Sequence, residues 1–325
     1  MTRARVARHK SNVENDHKKL LRLAPEVAEA VIARKPVVAL ESTVIAHGLP
    51  RPLNVETARA CQQAVTDEGA VPATVAVIDG RAAVGLSEAE IDLFAEGAAP
   101  DGARIEKVSV NNLAAVIAGR RWGATTVAAT LSLAHMAGIR VFSTGGIGGV
   151  HRGAADTFDV SADLTALAHT PVVCVSAGAK AILDLPKTVE QLETLGVPVV
   201  GYRTDEFPAF YSRASGLALE ISVDSAEEAA RIAVLHWATG ARTAVLVCAP
   251  IPEESELAAP EVDRALEEAL RECARAGVRG KAITPFLLSR VERATEGKSL
   301  AANRALLVNN AAIAARISRS LAAMA

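Results

Sequence analysis

Six short apolar runs, separated by stretches with helical patterning, limit the fold more than any other feature of the chain. They are PVVALEST (36–43), VPATVAVID (71–79), RVFSTGG (140–146), PVVCVSAG (171–178), VPVVGY (197–202) and TAVLVCA (243–249). Most are nearly continuous in Val, Ala, Leu, Ile and Cys rather than alternating. That is the mark of a strand buried on both faces, and such strands belong to parallel sheets covered by helices on each side. The expected fold is α/β, a three-layer α/β/α arrangement with a central, mostly parallel sheet.

The segments between the runs carry helix signals. Ser87 with Glu90 and Ser225 with Glu228 read as capping boxes, Asn54 is placed to cap a helix over 55–68, and Ser299 to cap the last helix. Gly69, Gly196 and Gly240 close helices, and Pro285 is expected to break regular structure. Further helices are expected over 25–33, 111–121, 126–137 and 261–276, with short strands over 82–84 and 104–109. No linker interrupts 25–325, so the chain reads as one catalytic domain over 21–325 behind a charged extension, 1–20, without the apolar core of a signal peptide.

Composition then excludes function classes. Half of the 325 residues are hydrophobic but only 3% are aromatic, and the formal charge is −2. There is no basic field for nucleic acid, little to stack bases on, and no apolar run near the roughly 20 residues that cross a bilayer. Cys61, Cys174, Cys248 and Cys273 form no CxxC pair and read as reduced core thiols of a cytoplasmic protein.

Candidate chemistry gathers where strands end, because ligands of open α/β sheets bind beyond the carboxyl ends of the strands. PVVALE leaves a carboxylate, Glu41, at a strand end. PVVCV is followed by the small run Ser176-Ala177-Gly178-Ala179 and then Lys180, which is either a solvated helix-start lysine or a desolvated amine able to attack a carbonyl. The loop IGGVHRGAADTFDVSAD is long and glycine-rich, matches no phosphate or dinucleotide fingerprint, and reads as a flexible loop beside ligand. Within it Asp156, Asp159 and Asp163 recur at i, i+3 and i+7. They would either share a side and suit a divalent cation, or serve as a helix cap and solvated acids. His151 has the same ambiguity between phosphate binding, loop ordering and no role. Asn303, Leu307 and Asn310 share one helical face, where amides need partners if buried.

ALESTVIAHGLP (39–50), VPATVAVIDG (71–80), STGGIGGVHRG (143–153), DVSADL (159–164), SAGAKAILD (176–184) and KSLAANRALLVNNA (298–311), in this order, resemble the pseudouridine-5′-phosphate glycosidase family. The resemblance covers about residue 20 to the C-terminus. It implies reversible cleavage of the C–C bond of pseudouridine 5′-phosphate to uracil and ribose 5-phosphate, through a lysine imine and with manganese, in an α/β/α subunit of a homotrimer. Carried over, it makes Lys180 the nucleophile, Glu41 the proton donor and Asp159 the ligand of Mn²⁺, with Mg²⁺ or another divalent cation as substitutes. Substrate contacts fall on Lys107, Val127, Ser161, Ala162 and Asp163, with Thr144, His151 and Asn303 in matching motifs. Two other classes stay open on the residues: another lysine-dependent sugar-phosphate lyase or aldolase, and a catalytically silent sugar-phosphate-binding protein.

Overall fold

The computed structural model describes residues 20–278 and 283–324. The extension expected over 1–20 lies outside them apart from Leu20. The described residues form an 11-stranded sheet. Its strands are β1 (Leu21–Leu23), β2 (Val37–Glu41), β3 (Val71–Ile78), β4 (Arg81–Val84), β5 (Glu106–Val108), β6 (Gly123–Thr125), β7 (Val141–Ser143), β8 (Val173–Ser176), β9 (Val199–Tyr202), β10 (Ile221–Val223) and β11 (Val245–Cys248). The order is β1-β4-β3-β2-β7-β8-β11-β9-β10, with β6 attached to β3 and β5 to β6. All pairings are parallel except those of β3 with β4 and with β6.

The apolar runs became the central strands because both their faces are covered. Helix Lys298–Met324 packs against helix Leu53–Asp67 and lies over β2, β7 and β8; on the other face Val127–Met136 covers β2, β3 and β7 and packs on Ala162–His169. The main core joins these layers through small and branched side chains such as Val38, Ala39, Leu131, Phe142, Val173 and Leu246. Burying one such Val, Leu or Phe side chain contributes about 1.5–3 kcal/mol. With few aromatics available, stability comes from many modest contacts of this kind.

Several local expectations are corrected. Asn54 does not cap: helix Leu53–Asp67 starts before it, and its buried amide donates to the carbonyls of Ile45 (2.8 Å) and Ala95 (3.1 Å), tying the turn after β2 to the next helix. Ser299 lies inside helix Lys298–Met324, its N–H donating to Thr295 Oγ1 at 3.3 Å. Pro285 does not break the chain, since helix Ile283–Ala294 places it in the first turn, where N–H groups have no intrahelical acceptor. Ser87–Glu90 forms both bonds of its box, whereas Glu228 Oε2 accepts from Asp224 N–H rather than closing back on Ser225. The strands β1, β6 and β10, three residues each, carried too short a pattern to read.

Candidate active site

Strands β2, β7 and β8 are neighbours, and their carboxyl ends carry three functional positions. β2 ends on Glu41, β7 runs into Thr144, and β8 runs through Ala177-Gly178-Ala179 into Lys180. Glu41 and Lys180 both line a cavity of about 450 Å³, within the usual range for small-molecule sites. Lys107, from β5, lines it as well.

Glu41 is enclosed. Burial pushes its carboxyl above the ordinary value of 4.5, against the opposing pull of Lys180, a hydrogen bond from Thr144 and the charge of Lys107, with Asp163 adding to the rise. Thr144 Oγ1 donates to Glu41 Oε1 at 2.5 Å. A carboxyl held up in this way keeps its proton to higher pH, which suits a group that gives and takes protons. Thr144 itself does not line the cavity; it stands behind Glu41.

Lys180 is half-buried and its backbone is fixed: its N–H donates to Ile147 O at 3.0 Å, and Ile147 N–H donates to Gly178 O at 3.1 Å. The turn before it needs Gly178, whose φ is +74° and where a Cβ would sit 2.2 Å from Pro208 O. The start of the glycine loop is packed against this turn. Residues 144–150 are buried and laced to 175–184 by bridges and bonds that include Ala177 N–H to Gly145 O at 2.9 Å and Asp184 N–H to Val150 O at 2.9 Å. The glycines let the two segments approach; at Gly148 a Cβ would lie 2.3 Å from Ser161 Oγ and 2.7 Å from Asp163 Oδ2.

The three aspartates part company. Asp156 is exposed in the short helix Ala154–Thr157, Asp159 lies beyond it, and Asp163 is buried in the first turn of helix Ala162–His169. The chain breaks helical geometry between them, with Phe158 at φ 54°, so no common side forms. Asp163 spends both oxygens on backbone: Oδ1 accepts from Ala128 N–H at 2.9 Å and Oδ2 from Gly148 N–H at 2.8 Å. It lines the cavity while clamping the glycine loop to the start of helix Val127–Met136.

Asp159 also lines the cavity, its side chain 38% exposed, with His151 Nδ1 3.9 Å from Oδ2. Burial lowers His151 below the ordinary 6.5, opposed by Asp159 and assisted by Lys180 and Lys107. Among the described residues no cluster of three His, Cys, Asp or Glu could hold a metal ion. A lone, partly exposed carboxylate fits only a hard cation that keeps most of its waters.

Val127, Ser161, Ala162 and Asn303 all line the same cavity. Val127 opens its helix, where N–H groups point outward without intrahelical acceptors. Asn310, one face further along the last helix, is buried and donates to Thr144 O at 2.9 Å, so it supports the strand end rather than facing ligand. Lining residues not singled out as site candidates in the sequence include His47, Thr126 and Phe210. His47 Nε2 and Thr126 Oγ1 are buried with no partner among the described residues. Burial lowers His47, against a bond to the Glu106 backbone, so it presents a neutral ring. Its signal was its place six residues after Glu41.

The sequence profile of the family described as "Indigoidine synthase A like protein" matches residues 26–320. The chain belongs to this family. Its relatives include the pseudouridine-5′-phosphate glycosidase of Caldanaerobacter subterraneus subsp. tengcongensis, 52% identical over 299 residues, 92% of this chain and 96% of that one. Another of that name, from Jannaschia sp., is 52% identical over 301 residues, 93% of this chain and 98% of that one. Among solved structures, the prealnumycin C-glycosynthase AlnA in complex with ribulose 5-phosphate superposes with a TM-score of 0.86 at 41% identity, covering 94% of this chain and 98% of the other. An indigoidine synthase A-like protein from Thermotoga maritima gives 0.83 at 38% identity, covering 93% and 97%. The family resemblance read in the sequence and the α/β/α fold both hold.

Proposed function

We propose that this protein reversibly cleaves pseudouridine 5′-phosphate to uracil and ribose 5-phosphate. One observation carries the reading: an amine, Lys180, and a half-buried carboxyl with a raised pKa, Glu41, line one cavity from nearby strand ends. The names of its half-identical relatives and the pentulose phosphate held by AlnA support the same substrate class.

A carbon leaving group has no lone pair to protonate, so the paired carboxylates of ordinary glycosidases do not suffice. Opening the furanose at C1′–O4′ lets the lone pair of Lys180 Nζ bond to C1′. That nitrogen then returns a pair to C1′ as the C1′–C5 bond breaks; the electrons of that bond, with a proton, go to uracil C5, and the sugar remains as an imine. Water hydrolyses the imine to ribose 5-phosphate and free Lys180. Glu41 supplies and recovers the protons. Lys107 is a cationic anchor for the phosphate, and Ser161, Ala162, Asp163, Val127, His151 and Asn303 form the walls that orient the sugar and base, with Thr144 holding Glu41.

Asp159, with His151 beside it, would hold Mn²⁺ or Mg²⁺ through a mostly aqueous shell. Bound there, the ion would supply positive charge and ordered waters at the cavity wall. The continuous sheet supports one catalytic domain over 21–325, and four buried free cysteines support a reducing, cytoplasmic setting. No helix among the described residues is long and apolar enough to cross a membrane. A homotrimer completes the reading. The decisive assay is uracil release from pseudouridine 5′-phosphate; turnover of simple sugar phosphates without uracil release would instead favour a lyase or aldolase, and binding without turnover a silent module.

A further inference from the structure

A second cavity, about 20 Å³, lies against Glu41, with Thr57, Thr74 and Ser143 among its walls. Glu41, Val44 and Leu307 line both this cavity and the large one, so the carboxylate residue stands in the partition between them. The space exceeds the roughly 10–15 Å³ that one water needs.

Its polar wall is unfinished. Thr57 is fully buried in helix Leu53–Asp67, and its Oγ1 has no hydrogen-bond partner among the described residues. A threonine inside a helix usually returns its hydroxyl to the carbonyl four residues back. Thr66 in the same helix does so, donating to Gln62 O at 3.0 Å. Thr57 does not, although leaving a buried hydroxyl unpaired carries a substantial penalty. Thr74 Oγ1 accepts from Gln62 Nε2 at 3.3 Å and keeps its own proton to donate. Thr57, Thr74 and Glu41 therefore line one water-sized space together, and between them they carry the two to four polar groups a buried water requires.

We propose that this cavity holds one ordered water, bonded to Thr57 Oγ1 and the Glu41 carboxyl, which together with Thr144 fixes that carboxyl for proton transfer. Thr57 is then a positioning residue that acts through the water and never meets substrate. The inference rests on Glu41 serving as the acid–base group of the proposed reaction.

The first measurement is a high-resolution crystal structure of the wild-type protein. Density is expected within about 2.6–3.2 Å of both Thr57 Oγ1 and a Glu41 carboxyl oxygen. The second uses Thr57→Val, which keeps the shape and deletes the hydroxyl. It should lose the water, lower kcat about tenfold with KM little changed, and move the Glu41 limb of the kcat–pH profile to higher pH, with Lys180, Lys107 and Asp163 left in place. Thr57→Ser, which restores a hydroxyl, should return kcat and the profile towards wild type. A dry cavity in the wild-type crystal, or a Thr57→Val enzyme with the wild-type pH profile, would overturn the proposal. Should Thr57→Val not fold, the density in the wild-type crystal decides alone. The density is read without turnover, so failure to release uracil sinks the functional reading alone, whereas a dry cavity in an active enzyme sinks the water.

Discussion

The floor and the rim of the cavity are built from the same residue types but in opposite ways. On the floor, Glu41 and Asp163 differ in their partners: Asp163 has both oxygens filled by backbone N–H groups, whereas Glu41 accepts one threonine hydroxyl and, among the described residues, no backbone N–H, with burial raising its pKa against the charges of Lys180 and Lys107. At the rim, Asp159 is partly exposed beside His151, and Phe158 next to it is 87% exposed. A carboxylate saturated by fixed amides works as a clamp. One desolvated by burial keeps its proton to higher pH and is suited to acid–base work, and one open to water has room for a hydrated cation. Environment, not residue type, divides the labour.

The largest effect tests the floor's centre. Lys180→Ala should reduce uracil release to background, and borohydride added to wild type with ribose 5-phosphate should leave a covalent adduct that peptide mapping places on Lys180. Lys180→Arg should fail as well, because guanidinium stays protonated. An adduct on Lys107, or turnover in Lys180→Ala, would break the assignment.

Next in size is Glu41→Gln, expected to lower kcat by roughly 10²–10⁴ while melting remains cooperative. Stability should move in the opposite direction. Because the folded Glu41 pKa lies above its unfolded value near 4.5, the folded state holds the extra proton. The associated stability is complete below that value and is lost as pH rises through the folded one. Glutamine removes this loss, so the stability advantage of Glu41→Gln over wild type should grow with pH above 4.5. Denaturant melts at several pH values read it directly, and a pH-independent difference would contradict the burial account.

Asp163→Asn probes the clamp. An amide NH₂ would face the N–H of either Ala128 or Gly148, leaving a buried donor unpaired at a cost of about 1–3 kcal/mol. Thermal unfolding should show the loss, with turnover falling because the glycine loop shifts. An unchanged melting temperature would return Asp163 to the ranks of simple substrate contacts.

What the sequence made legible follows the same division. The six apolar runs located the central strands because their pattern needs no tertiary information, and the strand-end rule led to Glu41 and Lys180 before any coordinates. The roles of Asn54 and Thr144 were hidden because each depends on a partner far along the chain, Ala95 for one and Glu41 for the other. The Asp156–Asp159–Asp163 spacing left two readings open for a related reason. Periodicity assumes a continuous helix, and the left-handed turn at Phe158 cuts it. The unpaired atoms of His47 and Thr126 could not be read from the sequence, since an unpaired buried atom is visible only when its surroundings are known.

The smallest effect on the fold belongs to the rim. Among the described residues the Asp159 carboxylate accepts no hydrogen bond, and the His151 ring nitrogen is 3.9 Å away, beyond hydrogen-bonding distance. Asp159→Asn should therefore leave stability within about 0.5 kcal/mol of wild type. The same change removes the charge that would attract a divalent ion. Mn²⁺ titrated into the variant and followed by the paramagnetic signal of the free ion should bind more weakly than to wild type. Chelator-treated wild type should recover turnover when Mn²⁺ is returned. The titration needs no substrate, so it isolates the cation from the chemistry: equal Mn²⁺ binding by both proteins would take Asp159 out of the site, while a large drop in melting temperature would mean the rim is as structural as the floor.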